Sequence, residues 1–201
     1  AGFLQHDASW SARANSVGLF GYRRSTNITY TMTARTADSM GSGLAGQDAY
    51  DVSHIDGAAA ARIAVEKAVA SRDARAIEPG KYTVVLEPAA SIELIQNLLR
   101  VDARSADEGR SFLSKSGGGT RLGEKLMDER VTIYSDPSNP DVPGSPWAGD
   151  GRPQTRTSWI DKGAYQNLAY SRYWAEKQGK PALPGPANFI MAGGSESLED
   201  L

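Results

Sequence analysis

The stretch Lys81–Val101, KYTVVLEPAASIELIQNLLRV, decides how the rest of the chain is read. Tyr82-Thr83-Val84-Val85-Leu86 is a short run of β-branched and apolar residues between Pro79-Gly80 and Pro88, which predicts a buried strand. Pro88 ends that strand, because proline cannot donate to a sheet ladder. Ser91 is then placed to cap a helix, with Glu93 in its first turn, where the helix dipole favours an acid. Leu94, Ile95, Leu98 and Leu99 form one apolar stripe, and the opposite face carries Glu93, Gln96, Asn97 and Arg100. That polar face has a single carboxylate and neither His nor Cys.

Working outward, Asn27–Arg35 alternates Ile28, Tyr30, Met32 and Ala34 with Thr29, Thr31, Thr33 and Arg35, the pattern of an antiparallel strand with one wet face. It belongs to a longer region, 17–36, that reads as strands with a turn. The Gly/Ser-rich stretch 38–46 reads as a loop. Asp56-Gly57 precedes an Ala-rich amphipathic helix over 58–72, with Ala61, Val65, Ala68 and Val69 as its apolar stripe. The order from Asn27 to Val101 is thus strand, helix, strand, helix, an α/β-like core. Beyond Val101 the chain becomes loop-rich. One helical turn is expected over 122–127 and a strand over 131–134. A long loop over 138–153 carries four of the ten prolines. A hairpin about Asp161-Lys162-Gly163, a helix over 170–178 ending at Gly179 and a last strand near 188–191 follow. The expected class is α+β, a mixed and largely antiparallel sheet with a central helix packed on it. Two segments are expected, a strand/helix core over 1–104 and a β-rich, loop-rich part over 105–201.

Composition narrows the chemistry. The 201 residues contain no cysteine and only two histidines, His6 and His54, which excludes thiolate sites and restricts zinc chemistry. A net charge of −2 without a basic stripe argues against direct nucleic-acid contact. No apolar run is long enough to span a membrane and no signal peptide is visible, so a cytoplasmic protein is expected. The chain begins without Met and ends at SESLEDL, and is expected to be a segment of a longer protein.

The candidate constellations are modest. Gly117-Gly118-Gly119-Thr120 lacks the Lys-Ser or Lys-Thr of a phosphate loop, and a flexible turn is the better reading. His6 beside Asp7, and His54 near Asp51 and Asp56, lie in polar, turn-like stretches and read as surface histidines. Asp102, Asp107, Glu108, Asp128 and Glu129 are interspersed with Arg100, Arg104 and Arg110, which favours a solvated, salt-bridged face over an acid–base pair. Trp147, Trp159, Tyr165, Tyr170, Tyr173 and Trp174 read as core or interface packing before ligand stacking.

The order of these pieces resembles the TldD/PmbA family, described as modulators of DNA gyrase and as metalloproteases. The resemblance rests on Asn15-Ser16-Val17-Gly18, the alternating strand 27–35 and the Ala-rich helix. It continues through the run Pro79 to Pro88, Ser111-Phe112-Leu113, the strand 131–134 with Asp136-Pro137, Gly149-Asp150-Gly151 and Asp161-Lys162-Gly163. The catalytic branch carries H-E-x-x-x-H on the helix after the Tyr-containing strand. Laid onto this helix, those positions become Gln96, Asn97 and Val101, none of which replaces its counterpart. The resemblance is therefore closer to the PmbA (TldE) branch, which lacks the motif. It implies a non-catalytic partner or scaffold in peptide processing, with no cofactor in this chain and either a TldD-type zinc-bearing homologue or a second copy as partner. The alternative is an active metallopeptidase whose zinc ligands lie outside the segment. Where the family has a Thr-Gly-Asn stretch this chain has Leu183-Pro184-Gly185-Pro186-Ala187-Asn188, which puts a peptide-binding role of that loop in doubt. Gln96, Asn97 and Arg100 read equally as the remnant of a groove and as the wet face of an amphipathic helix.

Overall fold

A computed structural model describes residues 1–99, 102–197 and 200, and divides the chain into two compact units, Ala1–Val84 and Val85–Leu201. The first is an antiparallel meander of β1 (Gly2–Ala14), β2 (Phe20–Arg35) and β3 (Ser42–Ala49), with helix α1 (Gly57–Ala70) packed on it. The alternation of β2 does what its pattern predicts. Ile28 is buried, and Tyr30, Met32 and Ala34 pack against Ala45, Ala60 and Ala64, while the threonines take the other face. Asn15 closes the β1–β2 hairpin, its side-chain oxygen accepting from the Val17 and Leu19 amides at 3.1 and 2.9 Å.

Three expectations for this unit are corrected. The region 17–36 is one continuous strand after a short turn, because its partner is β1, whose polar-rich alternation conceals it in the sequence. The Gly/Ser-rich stretch is a loop only to Gly41, and Ser42–Ala49 is a strand. Its glycines have a packing role: a Cβ on Gly41 or Gly43 would collide with the main-chain oxygens of Ala68 and Ala64. The helix backbone lies directly on the strand. That closeness explains the third correction, in the face α1 buries. Ala60, Ala64 and Ala68 point inward, and Val65 and Val69 stand exposed, since only the smallest side chains fit so narrow a gap. Asp56 caps α1 through the Ala59 amide at 2.9 Å.

The second unit holds helix α2 (Pro88–Leu98), the short α3 (Ala103–Asp107), strands β4 (Ile133–Ser135), β5 (Thr157–Asp161) and β6 (Ala164–Tyr165), helix α4 (Arg172–Gln178) and β7 (Ile190–Met191). The sheet is antiparallel in the order β6-β5-β4-β7. The hairpin about Asp161-Lys162-Gly163 forms as expected. Lys162 (φ 47°) and Gly163 (φ 77°) are both left-handed, as a two-residue turn between right-twisted strands requires. Gly179 at φ 62° ends α4, and Ser171 caps its start. The core gathers Leu113, Ile133, Trp159, Ile160, Tyr165 and Leu168, all essentially without solvent exposure. Trp159 donates its indole N–H to the buried Ser135 hydroxyl at 3.0 Å, so neither polar atom is left unpaired.

The opening stretch departs from its reading. Residues 82–86 form no ladder with any described residue, and Tyr82, Val84 and Val85 are more than half exposed. An apolar β-branched run becomes a strand only when a neighbour takes its main-chain bonds. Pro88 does not terminate a strand; it opens α2 from the first helical position, where a missing N–H costs nothing, and the N-cap is Glu87 instead of Ser91. The α/β-like core is therefore replaced by two antiparallel sheets, each with helices, and the class is α+β. The turn over 122–127 is not helical. It is held by the Gly123 amide on the Tyr165 carbonyl (2.8 Å) and the Leu126 amide on the Gly163 carbonyl (2.9 Å).

Candidate functional site

Helix α2 carries Gln96 and Asn97, two of the positions singled out in the sequence. Its C-terminal end is fixed to the core of its unit. Leu99 is buried, Ile95 packs beside it, and the Tyr165 hydroxyl donates to the Leu98 carbonyl at 3.1 Å. Burial raises the Tyr165 pKa to about 12, which keeps the phenol protonated as the donor this contact needs. The N-terminal end is held by the Ser91 hydroxyl on the Leu86 carbonyl at 3.2 Å. Leu94, part of the predicted apolar stripe, is more than half exposed, so the stripe narrows to Ile95, Leu98 and Leu99.

Gln96 and Asn97 both lie on the exposed face, next to Glu93. The Asn97 amide nitrogen donates to the Glu93 carbonyl one turn back at 2.9 Å. Two primary amides and a lone carboxylate on a wet helix face offer neutral hydrogen-bonding groups, with neither imidazole nitrogen to bind a metal nor a base close to one. Arg100 and Val101, the other two predicted positions, lie outside the described residues. Among the described residues, no group of three or more His, Cys, Asp or Glu side chains is arranged to hold a metal ion.

The carboxylates around this helix are each engaged. Asp102 caps α3 through the Ser105 amide and hydroxyl at 2.8 and 2.9 Å. Asp107 accepts the Trp174 indole N–H at 2.7 Å. Glu108 bridges Arg110 and Arg104 at 2.6 and 2.9 Å, which lowers its pKa. Asp128 is held down to about 2 by the Arg130 side chain and amide, and Glu129 pairs with Lys125 at 3.1 Å. Glu108, Asp128 and Glu129 thus form the salt-bridged face the sequence suggests, while Asp102 and Asp107 serve as a helix cap and an indole acceptor. The histidines are likewise surface groups. His6 lies on the exposed β1, with Asp7 accepting from the Gln5 amide, and His54 sits edge-on to the Tyr50 ring at 5.9 Å. Asp51 and Asp56 serve as caps.

Trp159, Tyr165, Tyr170 and Trp174 are buried, and only Tyr173 of the late aromatic group is largely exposed. Arg104 and Lys177 stack over the Trp174 ring at 5.4 and 5.1 Å. The Leu183–Asn188 stretch is pinned at both ends. Leu183 and Tyr170 exchange main-chain bonds at 2.8 and 3.1 Å, and the Asn188 side chain accepts from the Asp136 amide at 2.8 Å while donating to the Asp136 carbonyl at 2.7 Å. Sequence reasoning missed Arg152, which pairs with Asp150 at 2.7 Å and donates to the Tyr170 carbonyl at 2.9 Å from a mostly buried position. Its one signal was the turn Gly149-Asp150-Gly151 just before it. The glycine run 117–119 is a turn with all three φ angles positive. No described helix is long and apolar enough to cross a membrane.

Comparison with known proteins matches residues 79–201 to the family described as PmbA/TldA metallopeptidase C-terminal domain. No curated protein matches the chain. Among solved structures, a proposed modulator of DNA gyrase from Bacteroides thetaiotaomicron superposes with a TM-score of 0.82 at 21% identity, over 99% of this chain and 46% of its own. A second proposed modulator of DNA gyrase, from Thermotoga maritima, gives 0.82 at 20% identity, over 99% and 48%. TldE from Thermococcus kodakarensis gives 0.72 at 18% identity, over 97% and 48%. The chain thus spans about half the length of the solved structures it matches. At these identities the solved structures establish the shared fold, and with a family model that covers residues 79–201 the chain belongs to the PmbA/TldD family.

Proposed function

We propose that this chain is the TldE-type, non-catalytic partner subunit of a metallopeptidase assembly that processes peptides in the cytoplasm. The observation that carries the reading is the exposed face of α2 with Gln96 and Asn97 on it, the residues that the family resemblance sets against a zinc-binding His and its neighbouring Glu. Zinc does not fit these residues. An amide oxygen is a weak ligand for it, and Asn97 has no basic site to take a proton from water. The helix is nonetheless kept, opened by Pro88 and anchored at Leu98 and Leu99, which suits a subunit whose shape matters to a partner. The partner is a zinc-bearing TldD-type homologue, the chain itself carries no cofactor, and nucleic acid is not contacted directly.

The test mixes the full-length protein with a zinc-motif homologue from the same genome. A joint complex by size-exclusion mass, with peptide hydrolysis that disappears when the homologue's zinc-site Glu is replaced, is the expected result. Hydrolysis by this protein alone overturns the reading. The family's description as a metallopeptidase domain favours a second reading, an active enzyme with ligands outside these residues, and that outcome would select it.

A further inference from the structure

We draw no further inference here: the strongest candidate, the exposed apolar run 82–86 that leads into α2, pairs with no described residue, and nothing in the structure shows what covers it.

Discussion

Gly163 shows how much one residue decides. It lies in the left-handed region beside Lys162, and a Cβ there would collide with the Met127 carbonyl oxygen and crowd that of Asp128 at 2.7 Å. The same peptide accepts the Leu126 and Met127 amides at 2.9 and 3.1 Å, so the turn is also the anchor of the loop before β4. Gly163→Ala adds a φ penalty to a backbone clash and is expected to cost about 3 kcal/mol or more of unfolding free energy, measured by urea denaturation. Tyr165 makes a pH prediction. Its folded pKa, about 12, lies above the ordinary 10.0 because burial disfavours the phenolate. The sign follows from that: its contribution is fully present below pH 10 and is lost as pH rises from 10 towards 12. One tyrosine in the ultraviolet titration should ionise near 12, together with a fall in stability that Tyr165→Phe does not show.

At the scale of elements, the legibility of the sequence divides by whether a segment carries its own instructions. The β5–β6 hairpin, the Gly179 helix stop and the alternation of β2 were readable, because turn chemistry and side-chain period are local. β3 was not. Its glycines look like a loop until the helix that needs their missing side chains is placed above them. α1 was found, but its buried face was not, since hydrophobic strength pointed to Val65 and Val69 while fit selected Ala60, Ala64 and Ala68. Gly43→Ala tests this directly. The added methyl would meet Ala64, Lys67 and Ala68, pushing α1 from the sheet, and a loss of about 2–4 kcal/mol is expected by thermal or urea unfolding. Lys67→Ala at the same contact should cost far less, because the obstruction is main chain. Residues 82–86 failed in the opposite sense. They carry every local mark of a strand, and the missing ingredient is a neighbour, which no local pattern reports.

At the scale of the whole molecule, the chain divides between Val84 and Val85, not after residue 104, so α2 shares a unit with the aromatic core that anchors it. The candidate site was partly legible. The residue types on α2 were sufficient to see that imidazole and a paired base are lacking, and the exposure of Gln96 and Asn97 agrees with a wet face. Their correspondence to a zinc motif came from the family resemblance, not from spacing or burial. What held the helix in place, Tyr165 on the Leu98 carbonyl, joins residues 67 positions apart and has no sequence signature. The central claim is that this chain keeps the scaffold of a metallopeptidase without its metal. The most direct measurement is zinc stoichiometry by plasma mass spectrometry on the full-length protein, first alone and then in complex with a zinc-motif homologue. The account predicts less than about one-tenth of an equivalent alone and one equivalent per homologue in the complex, abolished by replacing the homologue's histidines. One equivalent bound by this protein on its own would contradict it.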